Sequence, residues 1–358
     1  MTPRSIVCAA ALLLVSPVLA DSPAAILAEQ GHWKQLRSIV DARVKANPND
    51  AEAQWLLSRV RMAYRDPDGA LAPAEKSVSL DPKNAAYRWQ VAQVVGEQAG
   101  RASVFRQMSL ARRFRQEAEA AIAMDPKYTE AMSGLMLYYE RAPGIVGGDS
   151  KKADEMVDRI SAINRADGIR ARISLLQERK PAPTNAQLEA LFVQLVQADP
   201  SRYDSHTGLA QVYGGANPAK WDLVEKEALA ARTVDPDRVL AYQILAGVYA
   251  TRARWADLDA HLADCEKRFP ENYAPYLRAA GALLQSGTDL PRAERYTRKY
   301  LTIEPEPNFA SLGVAHWRLG LILEKEGRKA EAINEVKTAT ELDPKFEQAQ
   351  RDLKRLRS

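Results

Sequence analysis

Apolar side chains along this chain recur at steps of three and four. Tyr242, Leu245, Ala246 and Tyr249 form one such run, Leu319, Gly320 and Leu323 another, and Ala280, Gly281 and Leu284 a third. That spacing places them on one stripe of an α-helix, and no segment alternates as a strand would. Prolines close the helical runs at Pro48, Pro82, Pro126, Pro200, Pro236, Pro270, Pro305 and Pro344, with spacings of 34, 44, 74, 36, 34, 35 and 39 residues. The interval of 74 divides into about 40 and 34 if a unit ends near residues 166–167 without a proline. Inside each unit the register repeats. Ala70, Ala293 and Ala332 each stand twelve residues before a closing proline, and Leu36 and Leu258 hold the same place with a larger side chain. The pattern predicts paired helices that touch through small residues at Ala246, Gly281, Ala293, Gly320 and Ala332. Proline cannot continue a helix, so it starts the next pair.

A helix–turn–helix unit of about 34 residues with these small and apolar positions resembles the tetratricopeptide repeat, over most of residues 24–344. The resemblance implies an all-α fold, an α-solenoid of antiparallel hairpins, running as a single array over residues 21–358. Units are expected at 24–48 (a half unit), 51–82, 84–126, 128–166, 168–200, 203–236, 239–270, 273–305 and 310–344. A polar-faced helix at 346–357 would close the stack. Irregularities are expected at 101–124, an unusually long second helix, and at 142–150 and 180–185, where Pro and Gly interrupt the pattern. In arrays of this family the first helix of each hairpin lines a concave groove. That register falls here on Trp55, Trp89, Ser133, Thr207, Gln243, Arg278 and Trp317, and one turn later on Arg59, Gln93, Gln211 and Gly247. Arg88 and His316 take the register of the family's packing aromatic, so the tryptophans are assigned to the groove. Trp55 and Trp89 lie one unit apart and are expected to meet one extended ligand. Replacing either with Ala would weaken binding by about 2 kcal/mol and leave the fold standing.

Composition changes the picture in three places. The net charge is +4, from 50 Lys and Arg against 46 Asp and Glu. That near-balance argues against a dedicated nucleic-acid binder. Two cysteines exclude a disulfide scaffold and a four-cysteine zinc site. Residues 1–20 carry Arg4, an apolar run from Ile6 to Val15, Pro17, and then Val18-Leu19-Ala20. This is the layout of a signal peptide cleaved after Ala20, and Asp21 argues against a lipid-modified cysteine at that point. The mature chain is expected to be periplasmic or secreted, to keep Cys265 as its one cysteine, and to hold no transmembrane segment.

The remaining motifs read as structural. The loop 142–151 lacks the Gly-Lys-Ser/Thr of a phosphate loop, and Asp149 or Ser150 is expected to cap the following helix. His32, His206, His261 and His316 have no metal-ligand spacing. Cys265 falls in a helix-packing register and is expected to be an inert thiol. Arg101, Arg106, Arg112, Arg113 and Arg115 form a basic run, but Glu117 and Glu119 stand four residues after Arg113 and Arg115, which suits helix-surface pairs on a solvated face. No nucleophile or acid–base set stands out, so neither an enzyme, a cofactor nor a metal is expected. The function expected is a scaffold that holds a peptide or partner subunit in the groove, within the cell envelope. The alternative is a module that binds a glycan such as peptidoglycan or an exported polysaccharide, which stacked tryptophans and Gln side chains would suit.

Overall fold

The computed structural model describes residues 22–358. The expected signal peptide, with Arg4 and Cys8, and the expected cleavage point lie outside the described residues. The described chain is helical and divides into two compact units that meet in sequence at Asp199 and Pro200. In the first unit α1 (Pro23–Gln30) pairs with α2 (Trp33–Ala46), α3 (Ala51–Ala63) with α4 (Pro67–Leu80), and α5 (Ala85–Arg101) with α6 (Val104–Met124). It continues with α7 (Thr129–Arg141) on α8 (Ser150–Ile163) and α9 (Arg165–Glu178) on α10 (Asn185–Ala198). In the second unit α11 (Tyr203–Gly214) pairs with α12 (Trp221–Val234), and α13 (Val239–Thr251) with α14 (Trp255–Arg268). Then come α15 (Ala274–Ser286) with α16 (Leu290–Tyr300), α17 (Leu312–Lys325) with α18 (Lys329–Leu342), and α19 (Glu347–Arg357), which packs on α18. The α-solenoid of hairpins with a closing helix is therefore the observed fold class. Residues 24–48 form a full hairpin with a short first helix, not the half unit expected.

One local device makes the repeat. Asn47, Asp81, Asp125, Asp235 and Asp343 each end a second helix and each precede a proline. The proline ring forbids the helical conformation to the residue before it, and all five adopt extended or near-extended backbone. Their side chains then accept the amide two residues on, at 2.9 Å from Lys127, 3.0 Å from Asn49, Asp237 and Lys345, and 3.4 Å from Lys83. The same two-residue motif thus stops one helix and aims the next. Where the proline is missing, Asn164 does both jobs. It ends α8 and caps α9, accepting the Asp167 amide at 3.0 Å. The boundary therefore falls two residues earlier than residues 166–167, in space that Gly168 opens against Ser161.

The twelve-residue register is the packing seam. Ala70, Ala293, Ala332, Leu36 and Leu258 are all fully buried. A Cβ on Gly320 would overlap Val336, so α17 and α18 approach as closely as the missing side chain allows. Each unit carries its own apolar clusters, one of them in the first unit running from Trp89 to Leu175. The second unit's clusters centre on Tyr242, Leu277 and Tyr300 and on Leu319, Leu323 and Val336. Among the irregular segments, α6 is 21 residues long and starts uncovered, with Val104 65% and Phe105 85% exposed. A short 3-10 turn, Gly144–Val146, fills the loop between α7 and α8.

Candidate functional site

First helices of successive hairpins touch one another: α1 with α3, α3 with α5 and α7 with α9 in the first unit, and α11 with α13, α13 with α15 and α15 with α17 in the second. No two second helices pack comparably among the described residues. The first-helix row is therefore the inner side of each unit. The groove register maps onto that row, but its members differ widely in access.

In the first unit the row is closed by its own side chains. Trp55 and Trp89 occupy matching places on α3 and α5, yet both rings are buried, at 7% and 4% exposure. This corrects the expectation that they stand open to a ligand. The reason for Trp89 is Gly134 on α7: a Cβ there would overlap the indole, so the ring fills the space that glycine leaves. Trp55 lies against Tyr87 at 5.8 Å, with the Arg59 guanidinium 4.9 Å over its face. Arg59 is buried too and pairs with Glu29 at 3.2 Å. Ser133 is buried and bonds back to the Thr129 carbonyl at 2.8 Å.

Two carboxylates organise this face, and sequence reasoning missed both. Glu130 accepts the Trp89 indole N–H at 3.0 Å and the Gln93 amide at 3.4 Å, and it also takes the Tyr128 hydroxyl. Burial pushes its carboxyl up to about 7, and the Glu29 charge adds to that; the Trp89 N–H, the Arg59 charge and the Tyr128 hydroxyl pull the other way. Glu29 and Glu130 lie 30 residues before Arg59 and 41 after Trp89. An acid about one unit away from each arginine or tryptophan was the available signal.

In the second unit the row is more open. Gln211 and Arg278 are exposed, Gln243 and Trp317 half-buried, and Thr207 buried. Trp317 donates its indole N–H to Asp352 at 2.8 Å and packs edge-on to Phe346, so it ties α17 to the closing helix. Arg278 lies along the backbone of Gly247, where a Cβ would sit 3.0 Å from its Nε.

Other candidates have structural partners. His206 bonds Glu227 at 2.7 Å and the Pro200 carbonyl at 2.9 Å, His316 bonds Glu335 at 2.7 Å, and His261 bonds the Tyr242 carbonyl at 2.9 Å. His32 stands at the N-cap of α2. Cys265 is a buried free thiol, and burial raises it to about 12. Asp149 caps α8, accepting the Lys151 and Lys152 amides at 3.0 and 3.4 Å. Arg113 and Arg115 reach Glu117 and Glu119 at 3.8 and 3.2 Å, and Arg101 reaches Glu97 at 2.7 Å, as a solvated face should.

No family model and no curated protein matches the chain. Solved structures do resemble it. Yeast Tom70 aligns over 93% of this chain and 79% of its own, at 13% identity and a TM-score of 0.49. A tetratricopeptide repeat protein from Parabacteroides merdae aligns over 75% of this chain and 99% of its own, at 14% identity and a TM-score of 0.48. An IFIT1 monomeric mutant covers 93% of this chain and 70% of its own, at 16% identity and a TM-score of 0.49. At that distance the role has to be argued from the faces themselves. No helix of the described residues is long and apolar enough to cross a membrane.

Proposed function

We propose that this protein is a non-enzymatic interaction scaffold of the tetratricopeptide type, which holds a peptide or partner subunit on its first-helix face. The observation that carries this reading is the second unit's row: Gln211, Gln243 and Arg278 stand on consecutive first helices, are wholly or partly open, and have amide and guanidinium groups to offer a peptide backbone. A glycan module is supported less. It needs indole faces for sugar rings, and Trp55 and Trp89 are buried while Trp317 is committed to Asp352. A photo-crosslinking residue at Gln243 should capture a protein from envelope extract, whereas one at Lys226 on the outer helix α12 should not. Capture from Lys226 alone would overturn the reading.

We place the working protein in the cell envelope, on the signal-peptide layout of residues 1–20. N-terminal sequencing of the exported form should begin at Asp21, and a form beginning at Met1 would refute this.

A further inference from the structure

The first turn of α6 stands clear of the fold. The buried residues of this helix, Ala118, Ala121 and Ile122, all lie in its second half, and Leu110 and Phe114 are the first of its side chains to pack against an apolar cluster. Ahead of them Val104 and Phe105 are 65% and 85% exposed, and Phe105 is the most exposed large apolar side chain among the described residues.

The charges beside this turn are one-sided. Residues 104–116 hold four arginines and no acid, and the first acid of the helix is Glu117. Two of those arginines are already held, Arg113 by Glu75 and Glu117, and Arg115 by Glu119 at 3.2 Å. Arg101, at the end of α5, is held by Glu97 at 2.7 Å. Arg106 and Arg112 are exposed and have no carboxylate partner among the described residues. Arg106 follows Phe105 directly. Helical geometry places Arg112 about 20° from Phe105 around the axis and about 10 Å further along it.

An apolar wedge flanked by unpaired cations fits one kind of partner. A specific protein interface takes about 800 Å² from each side, and a single projecting turn with two apolar side chains supplies far less. A bilayer needs no matching pocket. It accepts bulky apolar side chains to a depth of about 5–10 Å at the headgroup boundary, and anionic headgroups are the counter-charge that Arg106 and Arg112 lack. We propose that the start of α6 docks the protein on an anionic lipid surface, with Val104 and Phe105 inserted and Arg106 and Arg112 on the headgroups. Because α6 is a second helix, this contact leaves the first-helix face to the scaffold's partner and does not depend on that reading.

The test is co-sedimentation of the mature protein, which lacks the apolar run of residues 6–15, with vesicles of phosphatidylcholine containing about a third phosphatidylglycerol. Vesicles of phosphatidylcholine alone should bind at least about tenfold more weakly. Arg106→Gln with Arg112→Gln should weaken binding to the anionic vesicles about thirtyfold, at about fivefold for each charge near the surface. Phe105→Ser should cost about tenfold, the loss of one bulky apolar group from the boundary. All three positions are exposed, so the melting temperature by circular dichroism should not move. Phe105→Trp should give a blue-shifted emission on addition of anionic vesicles, relative to the wild type. Equal binding to neutral and anionic vesicles, or binding of the double arginine variant within twofold of the wild type, would overturn the proposal. An effect of the arginines with none from Phe105→Ser would make this a general polyanion patch, open to an acidic protein, and would overturn the lipid assignment equally.

Discussion

Glu130 shows how a residue's role here depends on what surrounds it. Its ordinary carboxyl value is 4.5, and the fold raises it to about 7. The folded chain therefore holds a proton in that window that the unfolded chain has lost. Stability contributed by this group is full below about pH 4.5 and falls as pH rises toward 7. Arg59, the Trp89 N–H and the Tyr128 hydroxyl limit the loss; burial and Glu29 cause it. Glu130→Gln should flatten the fall in melting temperature between pH 5 and 7.5, and an unchanged slope would refute the assignment. Trp89 is now expected to act in folding. Trp89→Ala should cost about 3 kcal/mol or more, the loss typical of a buried ring, read by urea denaturation. A partner-binding defect without destabilisation would restore the groove role. Cys265, raised by burial to about 12, should react with a thiol reagent far more slowly in the native protein than in guanidinium, and equal rates would contradict its burial. The tryptophans' positions were legible in the sequence, but their access was not. That depends on Gly134 and Glu130, which come 45 and 41 residues after Trp89 and reach it only when α7 packs on α5.

Among the elements, the helix boundaries were the most readable feature, because they are set by neighbours in sequence. The five Asx-Pro turns need only a proline and the acceptor before it. The Asp149 cap on α8 is of the same kind. Asp149→Ala should cost about 1 kcal/mol, a typical cap loss, and added phosphate should leave the melting temperature of the wild type unmoved. A clear rise with phosphate would instead make this helix start an anion site. The extra length of α6 was visible as a long helical pattern. That its first turn would be uncovered was not, since cover depends on where α5 ends at Arg101.

For the whole molecule, each unit's stability should accumulate from neighbouring hairpins. Trp89 lies in a cluster of the first unit and Leu319 in one of the second. Trp89→Ala and Leu319→Ala should therefore add within about 0.5 kcal/mol when combined. A large coupling energy in a double-mutant cycle would contradict separate cores. The sequence alone determined that this is a chain of helical hairpins, where each begins and ends to within a few residues, and which residues form the seam. These follow from backbone rules and from a period that repeats within one unit's length. Tertiary structure alone decided which of the inner residues face outward. Trp89 turned into the core because Gly134 on a neighbouring helix left it room, Trp55 is covered by Tyr87 and the Arg59 guanidinium, and Arg278 and Arg318 each lie along the preceding first helix because Gly247 and Gly281, 31 and 37 residues earlier, carry no side chain there. Access to a face is set by the helix packed beside it, and no local pattern records which side chain that helix will lack.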